Sequence, residues 1–239
     1  MVRENQRRTE ECLAPEHIEQ SLARCGLWRC LSERRVRGRR RPPGPDVPLV
    51  TQVSRWDELK DMGGVLAAFA EYVPVGYLAL VGPDPAGVPD DPAQAQWLDR
   101  RRRAWHDLSP AERRRVALVC LPMSDLVANA LLVNAIQRAS AVVVQKSLAE
   151  GFGLTVTEAM WKRRPVVASA VGGIRSQIDH GSTGFLVDDP HDRAGFAALV
   201  TSCLSGDVDT AAVGDRAHDR VLRDFLPDRD VRTMAEVLA

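Results

Sequence analysis

The sequence has few aromatic residues, no excess charge of either sign and no long apolar run. Aromatic residues make up 5% of the chain, and the formal net charge at neutral pH is zero. Proteins that stack nucleic-acid bases usually place aromatic side chains beside basic ones, so nucleic acid is not an expected partner. No apolar run approaches the roughly 20 residues of a membrane span, and the polar start has no apolar signal-peptide core. These absences predict a cytoplasmic protein that uses neither a membrane nor nucleic acid.

Metal-site and redox spacings of cysteine are also missing. The five cysteines are odd in number, and no two of them form a CxxC pair. This pattern predicts reduced thiols rather than a disulfide framework or a zinc site. We interpret Asp188, Asp189 and Pro190 as the start of a helix rather than as a metal-binding aspartate pair. The sequence therefore predicts no metal and no cofactor.

The first 46 residues differ in composition from the rest of the chain. A run of arginines and prolines between 33 and 45 is typical of a linker or a disordered arm. An arginine-rich arm that binds nucleic acid is the alternative, but no aromatic residues interleave the arginines. We predict an arm over 1–46 and one folded domain over 47–239.

From residue 47 onward, short apolar runs rich in valine and leucine alternate with longer helical patterns. Strands are predicted at 49–53, 77–81, 116–121, 141–145, 165–168 and 184–187. Helices are predicted at 64–72, 93–106, 125–138, 155–162, 193–204, 215–224 and 228–238, with a short helical turn at 173–178. This order predicts an α/β domain with a doubly wound, parallel, Rossmann-like sheet, which binds ligands at the carboxyl ends of its strands.

The strongest candidate site follows the fourth predicted strand. Gly151 and Gly153 precede a predicted helix and allow a ligand to approach the backbone closely. The N–H groups of Gly153, Leu154 and Thr155 would be unpaired at the positive end of that helix, which suits a phosphate.

Two glutamates flank this glycine-containing loop. Glu158 lies about one turn into the helix, where its carboxylate can accept both hydroxyls of a ribose, and Glu150 can reach sugar hydroxyls from the other side. A glycine-rich turn with two exposed glutamates, one of them only capping the helix, remains an alternative. A dinucleotide fingerprint is disfavoured, because Val156 stands where GxGxxG requires its third glycine.

A second candidate loop follows the first strand. Arg55 and Lys60 would place a guanidinium and an ammonium beside a diphosphate and neutralise the charge that develops on a leaving nucleotide. The alternative is a pair of solvated surface cations beside Asp57 and Asp61.

A third loop, at 169–178, carries a weaker signal. Its paired glycines, Gly172 and Gly173, precede a short helix and are expected to expose amides toward the same cleft. His180 follows in a segment that we interpret as a turn, with a structural or exposed histidine.

These motifs together resemble the retaining glycosyltransferases of the two-domain GT-B architecture, family four. The motifs that carry the resemblance are EGFGLTVTEAM at 150–160, PVVAS at 165–169, GGI at 172–174 and GFLV at 184–187. Three further segments are similar to the trehalose glycosyltransferring synthases, namely VNAIQRAS at 133–140, QKS at 145–147 and AMWK at 159–162. Members of that group join a glucosyl group from a nucleoside-diphosphate glucose to free glucose.

The resemblance implies a role for each candidate residue. Arg55 and Lys60 would hold the diphosphate, assisted by the amides of 153–155. Glu158 would hold the ribose, and Glu150 would contact the donor sugar. Such enzymes use no protein nucleophile and no metal is expected; the acceptor attacks on the face that the nucleotide leaves, and a phosphate oxygen takes its proton.

The resemblance covers about 47–239 and corresponds to the C-terminal half of a GT-B fold. It predicts a nucleotide-sugar donor-binding domain, with a nucleoside-diphosphate sugar and a sugar acceptor as ligands. The family's N-terminal domain, which supplies acceptor contacts, is expected as a separately encoded partner or as a part lost by truncation. The alternatives are a non-catalytic nucleotide-sugar-binding module, an inactive fragment and a sugar-nucleotide epimerase.

Overall fold

The structure, a computed structural model, describes residues 46–226. Its strands are β1 (Leu49–Val53), β2 (Tyr77–Pro83), β3 (Val116–Leu121), β4 (Val142–Gln145), β5 (Val166–Ser169) and β6 (Phe185–Val187). Its helices are α1 (Met62–Tyr72), α2 (Ala93–Asp107), α3 (Pro110–Arg113), α4 (Leu126–Ala139), α5 (Leu154–Trp161), α6 (Ile174–Gln177), α7 (Arg193–Ser205) and α8 (Thr210–Asp224).

All six strands run parallel in one sheet, in the order β3-β2-β1-β4-β5-β6. The chain moves outward from β1 to β3, returns to the other side of β1 and then continues outward to β6. The point where the order reverses lies between β1 and β4, and doubly wound sheets bind ligands there. The predicted Rossmann-like α/β fold is confirmed.

The strands are valine-rich because helices cover both faces of the sheet. Val142 and Val144 of β4 belong to one apolar cluster, which α1 and α7 complete, whereas Val143 faces the opposite side. On that side α5 and α8 pack over β4 and β5, and α4 packs over β1, β2 and β3. This two-sided burial explains the continuous apolar runs, as opposed to an alternating pattern.

The predicted strands agree with the observed ones to within two residues, and β1 and β3 have the predicted bounds. The short helix α3 was not predicted. Among the predicted helices α8 differs most: it begins at Thr210 and not at 215, because the Asp209 carboxylate caps it by accepting a hydrogen bond from the Ala212 N–H. The predicted helix at 228–238 and the predicted arm, apart from Asp46, lie outside the described residues.

No single helix within residues 46–226 is long and apolar enough to cross a membrane. Helices α7 and α8 meet the length and composition criteria only when they are taken together, and a bend of 109° separates them.

Candidate functional site

The loops after β1 and β4 lie side by side because these two strands are neighbours in the sheet. The Leu148 N–H donates to the Leu59 carbonyl at 2.8 Å. Gln52, at the end of β1, donates from its side-chain amide to the Lys60 carbonyl at 2.6 Å and accepts from the Lys146 N–H at 3.3 Å. The two loops are therefore joined at the switch point by one direct backbone bond and by the side chain of Gln52, which bridges Lys60 and Lys146.

Lys60 and Glu150, predicted as residues of one site, are in direct contact. The Lys60 Nζ lies 2.6 Å from Glu150 Oε2, and the two side chains are only 15% and 12% exposed. A partly buried ion pair of this length is less screened by solvent than a surface pair. The alternative that Lys60 is a solvated cation beside Asp61 is therefore wrong.

Asp61 pairs instead with Lys146, a residue for which the sequence predicted no role. Lys146 is buried, and its Nζ donates to the Asp61 carboxylate at 2.5 Å and to the Pro190 carbonyl at 2.6 Å. Asp61 has a left-handed backbone (φ 40°) and caps α1 by accepting from the Gly64 N–H. Lys146 thus holds the residue directly after Lys60. The signal that could have identified it is a lysine directly after a valine-rich strand, in a chain with three lysines.

Arg55 lies in the same loop as Lys60 but has different partners. Its side chain is 60% exposed and lies 3.5 Å from Asp57 and 3.4 Å from Asp91. Asp91 precedes α2, so the connection after β2 reaches across to the loop after β1. Among the described residues the guanidinium has these two carboxylates as its ionic partners, and it contacts neither Lys60 nor Glu150.

The N-terminus of α5 is available to a ligand. Gly153 is the N-cap residue with φ 90°, and no side chain caps the helix. Within residues 46–226, the N–H groups of Gly153, Leu154 and Thr155 donate to no backbone carbonyl; the first such bond runs from Val156 to Gly153. A Cβ at position 153 would lie 2.9 Å from the Ile174 side chain, so both the conformation and the space favour glycine.

The loop at 169–178 packs against the loop between β4 and α5. A Cβ at Gly172 would lie 1.6 Å from the Glu150 carbonyl oxygen, so only glycine allows the two backbones to approach this closely. The Gly173 N–H donates to the Gly151 carbonyl at 2.7 Å. The prediction that this pair of glycines exposes amides to a ligand is thus wrong for Gly173, whose amide binds a carbonyl of the loop between β4 and α5.

Glu158 is exposed on α5, with Lys162 one turn further along the helix. Its carboxylate forms no hydrogen bond or ion pair with another residue of the described range. The Lys162 Nζ donates to the Gln137 side-chain oxygen at 2.8 Å and to the Glu158 carbonyl at 3.1 Å. Burial lowers the pKa of Lys162 to about 8, although the nearby Glu158 charge opposes this shift.

Two further predictions concern residues outside this cluster. His180 accepts a hydrogen bond from the Leu186 N–H at 3.1 Å, which is a structural role. The predicted helix start at Asp188, Asp189 and Pro190 is displaced, because α7 begins at Arg193 and is capped by Asp192. No group of three or more metal-ligating side chains lies close enough together, within 46–226, to hold a metal ion.

The family model for "Glycosyl transferases group 1" matches residues 128–220. The trehalose synthase of Pyrococcus horikoshii is 36% identical over 198 residues, which cover 81% of this chain and 44% of that protein. The trehalose synthase of Rubrobacter xylanophilus is 37% identical over 205 residues, which cover 82% of this chain and 45% of that protein. The chain thus spans less than half the length of these curated relatives.

Solved structures share the fold. The sucrose-phosphate synthase of Thermosynechococcus elongatus has a TM-score of 0.67 at 28% identity, over 82% of this chain and 46% of that one. Anabaena HepE in complex with UDP-glucose has a TM-score of 0.69 at 22% identity, over 95% of this chain and 53% of that one.

Proposed function

Because the chain belongs to the GT-B glycosyltransferases and is close in sequence to the trehalose synthases, we propose that it is the donor-binding part of a retaining glycosyltransferase. In this proposal it binds a nucleoside-diphosphate glucose, whose glucosyl group is transferred to an acceptor such as glucose. The observation that carries the proposal is the contact of Lys60, in the loop after β1, with Glu150, in the loop that leads into the free N-terminus of α5.

The diphosphate is bound between Lys60 and the N-terminus of α5. The Lys60 ammonium has three protons, and Glu150 accepts only one of them. The remaining protons face the diphosphate, together with the N–H groups of 153–155, which the helix dipole makes favourable for an anion. Arg55 adds a second cation once it leaves its two partly exposed carboxylate partners.

Two carboxylates recognise the sugars of the donor. Glu158 is an exposed acceptor-only group on α5, and it accepts the two hydroxyls of the nucleotide ribose. Glu150 accepts from hydroxyls of the donor glucose. Its negative charge is balanced by Lys60, which favours a hydrogen-bonding role for Glu150 over a nucleophilic one.

The chemical step needs no covalent bond to the protein. The bond between the anomeric carbon and the diphosphate breaks, and its electron pair leaves with the diphosphate, whose developing charge Lys60 and Arg55 stabilise. The acceptor hydroxyl attacks on the face from which the nucleotide leaves. Its proton goes to a diphosphate oxygen, and because attack occurs on the same face as departure, the anomeric configuration is retained.

The acceptor contacts are expected from an N-terminal domain, encoded with this segment or separately. This expectation rests on the curated relatives, of which the chain covers 44–45%. If the chain has no such partner, the same site supports the second candidate function, which is a module that binds a nucleotide sugar without turnover. Anabaena HepE, whose fold the chain shares, has been captured with UDP-glucose.

Calorimetric titration with pyrophosphate, ADP, UDP, GDP and the three corresponding nucleotide glucoses tests the proposal. We expect each nucleoside diphosphate to bind more tightly than pyrophosphate, and at least one nucleotide glucose to bind more tightly than its nucleoside diphosphate. A transfer assay with glucose as acceptor then separates the two candidates. Trehalose formed by the chain together with its N-terminal domain supports the enzyme, and tight binding without product supports the module. No binding of any nucleotide would contradict both.

A further inference from the structure

Two polar side chains, one at the last position of β4 and one two residues beyond it, are almost completely buried. Gln145 is 2% exposed and Ser147 is 0% exposed, in a chain that otherwise fills this strand with valine. Buried polar groups are costly unless they are hydrogen-bonded. Their partners therefore show what the two residues do.

The partners form one continuous chain of hydrogen bonds that ends at the site. The Thr155 hydroxyl donates to Gln145 Oε1 at 3.2 Å, and Gln145 Nε2 donates to Ser147 Oγ at 2.9 Å. The Ser147 hydroxyl then donates to Glu150 Oε2 at 3.3 Å. The ionised carboxylate can only accept, and this fixes the direction of each bond before it. The same oxygen also accepts from Lys60.

From this arrangement we propose that Gln145 and Ser147 are positioning residues, which hold the Glu150 carboxylate toward the donor sugar and tie it to the phosphate-binding end of α5. The inference rests on the proposed function. Without a ligand, Glu150 has both Lys60 and Ser147 as partners. A bound diphosphate competes for the Lys60 protons, and Ser147 is then the fixed neutral partner that keeps Glu150 in place.

The network also determines which group of Thr155 is available to a phosphate. Its hydroxyl proton is committed to Gln145, so Thr155 offers a phosphate its backbone N–H and not its hydroxyl proton. The N-terminus of α5 and the Glu150 carboxylate are thus connected by one series of hydrogen bonds. Ser147 contacts Glu150 directly but reaches Thr155 only through Gln145, so a change at Ser147 should affect recognition of the sugar more than recognition of the diphosphate.

Ser147→Ala tests the positioning role, with Ser140→Ala as a matched control. Ser140 is also 0% exposed, and its hydroxyl is hydrogen-bonded to Thr51 and to the Ile136 carbonyl, away from Glu150. Calorimetry would compare a nucleoside diphosphate with its glucose derivative for each variant. We expect Ser147→Ala to reduce the advantage of the glucose derivative by about tenfold and to leave the diphosphate affinity within about twofold. Ser140→Ala should lower the melting temperature but keep that advantage.

An unchanged advantage in Ser147→Ala, or equal losses for both ligands in the two variants, would overturn the proposal. Crystal structures of unliganded wild type and Ser147→Ala supply a readout that needs no ligand. We expect the Glu150 carboxylate to turn toward Lys60 alone in the variant, and an unmoved carboxylate would also overturn the positioning role. A wild-type chain that binds no nucleotide would contradict the proposed function, while these two structures still decide the role of Ser147.

Discussion

Lys60 and Glu150 are 90 positions apart in the chain, yet their charged atoms lie 2.6 Å apart. The parallel pairing of β1 and β4 brings their loops to the same edge of the sheet. The cation that we propose for phosphate and the carboxylate that we propose for sugar hydroxyls thus meet in one place. The ion pair balances both charges, and in the proposed function a donor supplies new partners for each.

Removal of either cation should weaken binding of nucleoside diphosphates. We expect Lys60→Ala or Arg55→Ala to cost about 1.5–3 kcal/mol, the scale of a charge-assisted hydrogen bond. The control is Arg163→Ala, since Arg163 is likewise an exposed arginine paired with an aspartate, Asp215. Isothermal titration of UDP and ADP measures the effect. If Lys60→Ala and Arg55→Ala bind UDP and ADP as tightly as Arg163→Ala does, neither cation belongs to the site.

Asp91 should oppose nucleotide binding. It lies 3.4 Å from the Arg55 guanidinium, which must leave it to reach a diphosphate. Asp91→Asn should therefore strengthen nucleoside diphosphate binding by about two- to fivefold, since exposed ion pairs contribute up to about 1 kcal/mol. The gain should disappear in the Arg55→Ala background. A gain that persists without Arg55 would assign the effect to the general electrostatic field.

Glu158→Gln should distinguish ligands that contain ribose from those that do not. A neutral amide accepts hydroxyl hydrogen bonds less strongly than a carboxylate, so nucleoside diphosphates should lose about 1–2 kcal/mol of binding free energy. Pyrophosphate does not reach this side chain and should bind as before. Equal losses for the two ligands in parallel titrations would refute the ribose role.

Lys146→Met should destabilise the chain because it leaves the Asp61 carboxylate and the Pro190 carbonyl without their partner. Truncating one member of a largely buried pair costs about 3–5 kcal/mol, and the 21% exposure of Asp61 places this case toward the lower end. Urea-induced unfolding measures the loss. The double variant Lys146→Met/Asp61→Asn should recover part of it, and a double variant as unstable as the sum of the singles would contradict this pairing.

Stability should increase with alkaline pH because of Lys162. Burial lowers its pKa to about 8 in the folded chain, from a usual value of 10.5. Between these values the unfolded chain binds more protons, so the free energy of unfolding rises with pH and the cost of burying the charge is fully present below pH 8. Unfolding at about pH 7 and about pH 9.5 should show wild type gaining stability relative to Lys162→Met. If the free energies of unfolding of wild type and Lys162→Met differ by the same amount at both pH values, the pKa of Lys162 is not lowered into this range.

Much of the fold followed from the sequence because valine-rich strands buried on both faces leave a strong pattern. The common edge of Lys60 and Glu150 was also predictable, since parallel strands place their following loops together. The contact of Arg55 with Asp91 was not, because it depends on how the connection before α2 reaches the loop after β1. The series of hydrogen bonds from Thr155 to Glu150 was missed for a similar reason: Gln145 looks like an ordinary strand end until its burial is known.

A crystal structure of the chain with a nucleoside-diphosphate glucose tests the central claim most directly. We predict that the diphosphate lies within hydrogen-bond distance of Lys60 Nζ and of the N–H groups of 153–155. The glucose should contact Glu150, and the ribose should contact Glu158. A donor bound elsewhere on the sheet, or bound at this edge while Lys60 keeps Glu150 as its only partner, would contradict the account.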